Sequence, residues 1–306
     1  MTAIAVLGPT AAGKSDVAIE IARRCGGEVV SVDSMQVYRG MDIGTAKASA
    51  EMQADVAHHL IDVCEPEDDL TVAEFQTLGR AVLEDLEESG AVPVICGGSG
   101  LHFRSLVDPL RFPPSDPERR AELELLAEHD ARERLLRIDP DAATWVDLAN
   151  PRRVVRALEV ALLTGETPSS RAGSGESEAI RTYQPEVDFV AIGLDPGVEL
   201  AERVEQRFDG MLAAGLVDEV EKLRDRLGRQ AGQAVGYKQL IPVVDGTEGL
   251  ESARQAAIQA TRSLAKRQRT FFRRDPRIVW LPWQPDPVQR AGRAIAELNG
   301  RLQWNS

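Results

Sequence analysis

The octapeptide GPTAAGKS, residues 8–15, places two glycines ahead of a lysine and a serine. Glycines at these positions let backbone N–H groups turn inward around an anion, the lysine adds a full positive charge, and the serine hydroxyl can meet a magnesium ion. The pattern therefore specifies a phosphate or diphosphate held by Gly8, Pro9, Thr10, Ala11, Ala12, Gly13, Lys14 and Ser15. It does not specify ATP. Any small residue serves at the position of Thr10, so its hydroxyl need not imply chemistry.

Asp33 ends the run EVVSVDS, where two roles are open to a carboxylate: holding magnesium through water, or taking a proton from an attacking group. With Ser34 it can equally cap a following helix. His58 and His59 are chain neighbours whose side chains diverge, which fits a loop or sheet end better than a metal site. Arg203 and Arg207 share a helix with the apolar stripe Leu200, Val204, Phe208 and Met211. Arg203 can pair with Glu199, and Arg207 can belong to the same solvated face.

Positioning these groups requires strands that end at the site. IAVLG, EVVSVDS, VPVICGG (92–98), VDFVAIGLD (187–195) and RIVWL (277–281) are short apolar runs, and helical spacing follows the loop through Val17 and Ile21 to the stop at Gly26 and Gly27. Further helices are expected over 72–89, 198–227 and 250–273. The alternation predicts an α/β fold: a doubly wound, mostly parallel sheet like that of phosphate-loop NTPases, formed by residues 1–112 and 182–306. Residues 113–181 interrupt the rhythm as an inserted small helical module, with helices around 119–137 and 151–163. The polar stretch TGETPSSRAGSGESE reads as a mobile loop at its far end.

At 306 residues and 43% hydrophobic composition the chain can bury one sizeable core. No apolar run approaches the roughly 20 residues of a membrane span. Cys25, Cys64 and Cys96 lack any disulfide or zinc spacing, so a cytoplasmic protein is expected. The net charge of −13 hides an uneven distribution: residues 62–88 carry −9, whereas residues 262–277 carry +6. In NPRRVVRALEV, Arg152, Arg153 and Arg156 crowd the start of a helix and oppose its dipole, a penalty that an arriving anion would relieve. Arg262, Lys266, Arg269 and Arg273 form a second stripe. A charged stripe is usually solvated surface, but in so acidic a chain this one points to a nucleic-acid backbone.

Taken in order, GPTAAGKS, VDSMQVYRGMDIGTAK, CGGSGL, NPRRVVRALEV, EQRFDGML, AVGYKQL and LAKRQRTFFR resemble the bacterial tRNA dimethylallyltransferases over nearly the whole chain. The resemblance implies that the loop holds the diphosphate of dimethylallyl diphosphate as a leaving group. It makes Asp33 the general base for the exocyclic amine of an adenosine beside the anticodon. Thr10 and Arg207 then stabilise the departing diphosphate, and Ser15 meets Mg2+, with manganese left open. Asp33, Ser34, Met35 and Gln36 would grip the target nucleotide, the Gln36 amide suiting an adenine edge. Ser99, Arg120, Arg152, Arg153 and Arg156 match further contacts to the tRNA anticodon stem-loop, and a monomer is expected. The chain reads GGSGLH where the family commonly has GGTGLY; Ser99 keeps the hydroxyl, and no role is assigned to His102.

Three rivals share the loop. One is a small-molecule kinase using ATP, another a prenyltransferase acting on free adenine nucleotides, and the third a non-enzymatic regulator binding nucleotide and RNA. The basic segments at Arg152 and Lys266 disfavour the first two, and Thr10 together with Asp33 the third.

Overall fold

The computed structural model describes residues 2–300. Of these, 2–107 and 187–300 form one compact unit and Asp108–Glu186 the other, against the expected insert of 113–181.

In the larger unit six strands, β1 (Ala3–Leu7), β2 (Gly27–Ser31), β3 (His58–His59), β4 (Val92–Gly97), β5 (Phe189–Gly193) and β6 (Ile278–Trp280), lie in the order β3-β2-β4-β1-β5-β6. Every pairing between them is parallel. β1 sits centrally, in register with Val94–Gly97 on one side and Phe189–Gly193 on the other. All five of its residues are buried because the pleat feeds two cores at once: Ala3, Ala5 and Leu7 join one hydrophobic cluster, and Ile4 and Val6 the other.

The carboxyl ends of the long strands therefore lead into Gly8, Asp33, Gly98 and Asp195, the edge at which a parallel sheet presents its ligand site. The helix Lys14–Cys25 returns from this edge on Val17, Ala18, Ile21 and Ala22 and stops at left-handed Gly26, whose N–H donates to the Ala22 carbonyl. The helix Val72–Ser89 begins in a reciprocal cap between Thr71 and Glu74.

Two of three expectations about elements need correction. The helix expected over 198–227 is broken at Gly215 (φ 97°) into Leu200–Ala213 and Leu216–Leu223, because that backbone angle cannot continue a right-handed helix. The histidine pair, expected at a loop or sheet end, is a two-residue strand at the sheet edge. The stretch expected to be a mobile loop forms the short helices Pro168–Ala172 and Gly175–Arg181. Thr167 and Ser174 cap them, and Ser169 ties the first to Asp139 through its backbone N–H and hydroxyl.

The smaller unit is helical throughout, built on Pro117–Glu124, Glu128–Ile138 and Pro151–Thr164. Ala131, Leu135, Ala142 and Val154 form one of its cores, and Leu123, Val155 and Leu158 another. No helix among the described residues is long and apolar enough to cross a membrane.

Candidate active site

The phosphate loop is held by its carbonyls. Lys14 Nζ donates to the Pro9 carbonyl at 2.8 Å, Arg203 Nε to that of Ala11 at 2.8 Å, and Trp283 Nε1 to that of Ala12 at 3.1 Å. In a planar trans peptide the C=O of one residue and the N–H of the next point opposite ways, so tethering the Ala11 and Ala12 carbonyls aims the N–H groups of Ala12 and Gly13 away from those tethers. Among the described residues the N–H groups of Ala12, Gly13, Lys14 and Ser15 have no hydrogen-bond partner, and Gly13 supplies no side-chain cap. The result is an open cluster of donors at a helix N-terminus. Ala11 (φ 61°) and Gly13 (φ 74°) both adopt the left-handed conformation. Gly8 must be glycine, since a Cβ there would lie 2.1 Å from the Leu194 carbonyl oxygen.

Thr10 N–H donates to Gln268 Oε1 at 2.8 Å, while the Thr10 hydroxyl has no partner among the described residues. Burial lowers the pKa of Lys14 to about 8; Arg207 adds to the shift, and Asp33 and the Cys96 thiol oppose it. Burial likewise lowers the pKa of Arg207, with Asp33 opposing and Arg203 reinforcing. The Arg207 guanidinium makes no hydrogen bond or ion pair among the described residues. Arg203, expected to pair with Glu199, instead braces the loop.

A cavity of about 790 Å³ opens beside the loop, lined by Lys14, Ser15, Asp42, Lys47, Arg203 and Arg207 among others. Its far wall is the DIGTAK segment, shaped by one carboxylate: Glu219 accepts the N–H groups of Asp42, Ile43 and Gly44 and the Tyr237 hydroxyl. Tyr237 packs so closely on Gly44 that a Cβ there would meet its ring at 2.3 Å. This is the work of AVGYKQL. The Lys47 side chain, 2% exposed, joins the Tyr38 carbonyl, Asp42 and Asp62.

Asp33 Oδ1 accepts the N–H of Met35 at 2.9 Å and of Gln36 at 3.4 Å, so the carboxylate caps the turn after β2, as one sequence alternative allowed. Its Oδ2 has no partner among the described residues, and the Ser34 hydroxyl is likewise free. The Gln36 amide is engaged internally: it accepts from Ser31 Oγ and donates to the carbonyls of Thr45 and Ala46. Met35 packs against the core. Ser99 Oγ lies 2.7 Å from His102 Nδ1, and the His102 ring stacks edge-on against Phe75 at 4.5 Å. Burial lowers the pKa of His102, and Asp33 opposes that shift.

This geometry belongs with a family. Residues 36–275 match the model of the IPP transferases. The chain belongs to the IPP transferase family. Its relatives include proteins named tRNA dimethylallyltransferase from Thermobifida fusca, 44% identical over 97% of this chain and 95% of the relative, and from Parafrankia, 46% identical over 98% and 93%. A tRNA isopentenylpyrophosphate transferase of Bacillus halodurans, solved by crystallography, is 36% identical, with a TM-score of 0.70 over 98% of this chain and 96% of that one. A eukaryotic dimethylallyltransferase crystallised acting on tRNA is 23% identical with a TM-score of 0.79, which shows the shared fold. That fold is the phosphate-loop NTPase-like sheet expected for the family.

In this family member the basic segments divide. Arg120 and Arg156 both turn onto Glu159, at 2.7 Å each, and Arg156 also donates to the carbonyls of Pro113 and Pro114. Burial would raise the pKa of Glu159, but these two guanidiniums, with Ser115 and the Asp116 N–H, hold it down to about 2. The one face expected for Arg152, Arg153 and Arg156 is thus split. Arg152 has no partner among the described residues, Arg153 only a 3.7 Å contact with Asp147, and Arg156 is a brace.

On the long helix Leu250–Phe272, Arg262 pairs with Glu205 at 2.6 Å, and Asp195 takes Arg269 at 2.6 Å and Arg273 at 3.3 Å. Lys266, Arg267 and Arg274 have no ion pair among the described residues. The acidic run is similarly compensated: Glu65 pairs with Arg39 and Arg226, Glu67 with Arg226, and Asp69 with Arg229. Sequence reasoning had assigned no role to Gln268, Glu219, Tyr237, Trp283 or Arg290. The signals available were a glutamine on the face that Leu264 and Phe272 share and the place of Tyr237 within AVGYKQL.

Proposed function

We propose that this chain transfers the dimethylallyl group of dimethylallyl diphosphate to the exocyclic N6 amine of the adenosine 3′-adjacent to the anticodon of a tRNA, releasing diphosphate. The observation that carries this reading is the pairing of an open amide cradle with Asp33, a carboxylate that keeps one oxygen free and interacts electrostatically with both Lys14 and Arg207. Family membership and the relatives' names support the choice of substrates.

The diphosphate lies on the N–H groups of Ala12 to Ser15, where the helix N-terminus, Lys14 and Arg207 favour negative charge. As the allylic C–O bond breaks, its electron pair leaves on the diphosphate, which Arg207 and the Thr10 hydroxyl stabilise. The N6–C bond forms, and Asp33 takes the proton that the amine must lose because its lone pair is delocalised into the ring. Ser34, Met35 and Ser99 flank the target nucleotide, and Gln36 joins them by exchanging a backbone contact for the base. Arg152, Arg153 and the helix carrying Lys266 contact the RNA backbone, with Arg120, Arg156, Arg262, Arg269 and Arg273 in support.

Mg2+ fits this site as a companion of the substrate. No group of three His, Cys, Asp or Glu ligands exists among the described residues, and Ser15 lines the cavity with an exposed side chain. Mg2+ characteristically keeps waters and binds through substrate phosphate oxygens and few protein groups, so Ser15 would hold it, and it would supply charge neutralisation on the diphosphate. A tRNA substrate supports a cytoplasmic location.

Supplying labelled dimethylallyl diphosphate with unmodified tRNA, with AMP or with ATP tests the reading. Label is expected in tRNA alone, recovered after digestion as N6-dimethylallyladenosine. Label in AMP would favour the free-nucleotide prenyltransferase. Phosphoryl transfer from ATP to a small alcohol, without prenyl transfer, would establish the kinase.

A further inference from the structure

Trp283 and Arg290 lie C-terminal to the residues that match the family model, in and before the helix Pro287–Asn299, and both reach the phosphate loop. Trp283 donates to the Ala12 carbonyl, and two guanidiniums approach its ring, Arg203 at 4.8 Å and Arg290 at 5.3 Å from the centroid. Arg290, 2% exposed, presses against the loop at Gly13: a Cβ on that glycine would stand 2.5 Å from Nη2. Its Nη1 donates to the carbonyls of Gln284 (2.6 Å) and Pro285 (3.2 Å), Nη2 lies 3.5 Å from Asp16, and Nε has no partner.

A buried arginine without a full ion pair is costly unless its position does something. Ala11 and Gly13, on either side of Ala12, are both left-handed, and an alanine in that conformation persists only where its surroundings fix it. The Trp283 bond fixes the peptide whose N–H belongs to Gly13. Arg290 packs on the same glycine and places a positive charge behind the donor cluster.

We infer that Trp283 and Arg290 are positioning residues that aim the phosphate-loop amides at the diphosphate and add to the positive field there. They act through the loop rather than by touching the substrate. The inference rests on the reading of the loop as a diphosphate cradle, so inorganic diphosphate is the probe.

Titration of the full chain with inorganic diphosphate, in parallel with tRNA binding and steady-state kinetics, tests it. Trp283→Phe keeps the ring and removes the N–H; it is expected to weaken diphosphate binding about fivefold, the effect of one lost hydrogen bond. Arg290→Gln is expected to weaken it by about tenfold or more, since the lost bonds involve a charge. Arg290→Lys should fall between, because it restores charge without the planar fork. In each variant KM for dimethylallyl diphosphate rises while kcat changes less and tRNA affinity holds.

Unchanged diphosphate affinity in both Trp283→Phe and Arg290→Gln would overturn the inference. So would equal losses of diphosphate and tRNA affinity accompanied by a lower Tm, which mark a purely structural role. Failure of the unaltered chain to bind diphosphate would overturn the reading of the loop, and this inference with it.

Discussion

Arg156 Nη1 lies 2.7 Å from Glu159 Oε2, one helical turn away, and the same guanidinium takes the carbonyls of Pro113 and Pro114. Arg152, one turn earlier on the same helix, has no such attachment. Two arginines with equivalent sequence spacing therefore have different work: one secures the entry to the inserted unit, and the other is available to an anion.

The first prediction follows from that division. Each neutralised phosphate contributes about −0.9 to the log–log salt slope of binding on duplex and about −0.7 on single strands. Arg152→Ala combined with Arg153→Ala should reduce the magnitude of the slope for tRNA by roughly one to two. Arg23→Ala with Arg24→Ala, whose partners are Asp55 and Glu20, should leave it unchanged. An unaltered slope in the first double variant, with native circular dichroism, would show these arginines to be solvated surface.

Glu159 supplies the second. Its side chain is 0% exposed and faces two guanidiniums that are about a third exposed, so Glu159→Gln removes their charge partner at a cost of about 1.5–3 kcal/mol. Hydrogen exchange should show protection falling across residues 108–186 and persisting in β1 and β4. The pH dependence has a definite sign. The folded pKa, about 2, lies below the ordinary 4.5, so the stabilisation is fully present above the ordinary value and is lost as pH falls from there toward 2. The Gln variant should lose this acid sensitivity.

How much of this was legible beforehand depends on the distance over which each feature acts. The loop, β1 and the helix after it are one continuous local pattern, and reading them needed only the glycine positions and the apolar run. Gln268 meets Thr10 across 258 positions and Trp283 meets Ala12 across 271, and no period in the chain encodes such a meeting. Arg203 was read as one side of a helical ion pair because Glu199 is near in sequence, whereas its guanidinium settles on Ala11, 192 positions away. Helical spacing placed Arg152, Arg153 and Arg156 together, but only the buried Glu159 decides which of them turns inward.

The third prediction separates the cap that Asp33 forms from the base proposed for it. Asp33→Asn keeps an oxygen for the N–H groups of Met35 and Gln36 and removes the base, so the turn should survive while kcat falls by roughly 10² to 10⁴. Asp33→Ala should show the same loss of rate and, in addition, a lower Tm from the missing cap. Binding of tRNA should change little in the Asn variant. Near-normal turnover by Asp33→Asn would remove Asp33 from proton transfer and leave it a capping residue.

The last prediction concerns Lys14. Burial, reinforced by Arg207, lowers its pKa from 10.5 to about 8, so in the ligand-free chain the ammonium opposes folding at neutral pH, and that opposition fades as pH rises from about 8 toward 10.5. A bound diphosphate reverses the balance by supplying the counter-charge that the site lacks, and it should raise the Lys14 pKa. Binding must then take up protons above about pH 8, and calorimetry in buffers of different ionisation enthalpy will read that uptake directly. In turnover, kcat/KM for dimethylallyl diphosphate should fall as pH rises through about 8, because the free enzyme loses its cation there. Lys14→Arg places a group in the loop that does not titrate in this range, and its profile should be flat across the same interval even if its absolute rate is lower. A profile in Lys14→Arg that still breaks near pH 8 would assign the titration to another group and leave Lys14 charged throughout.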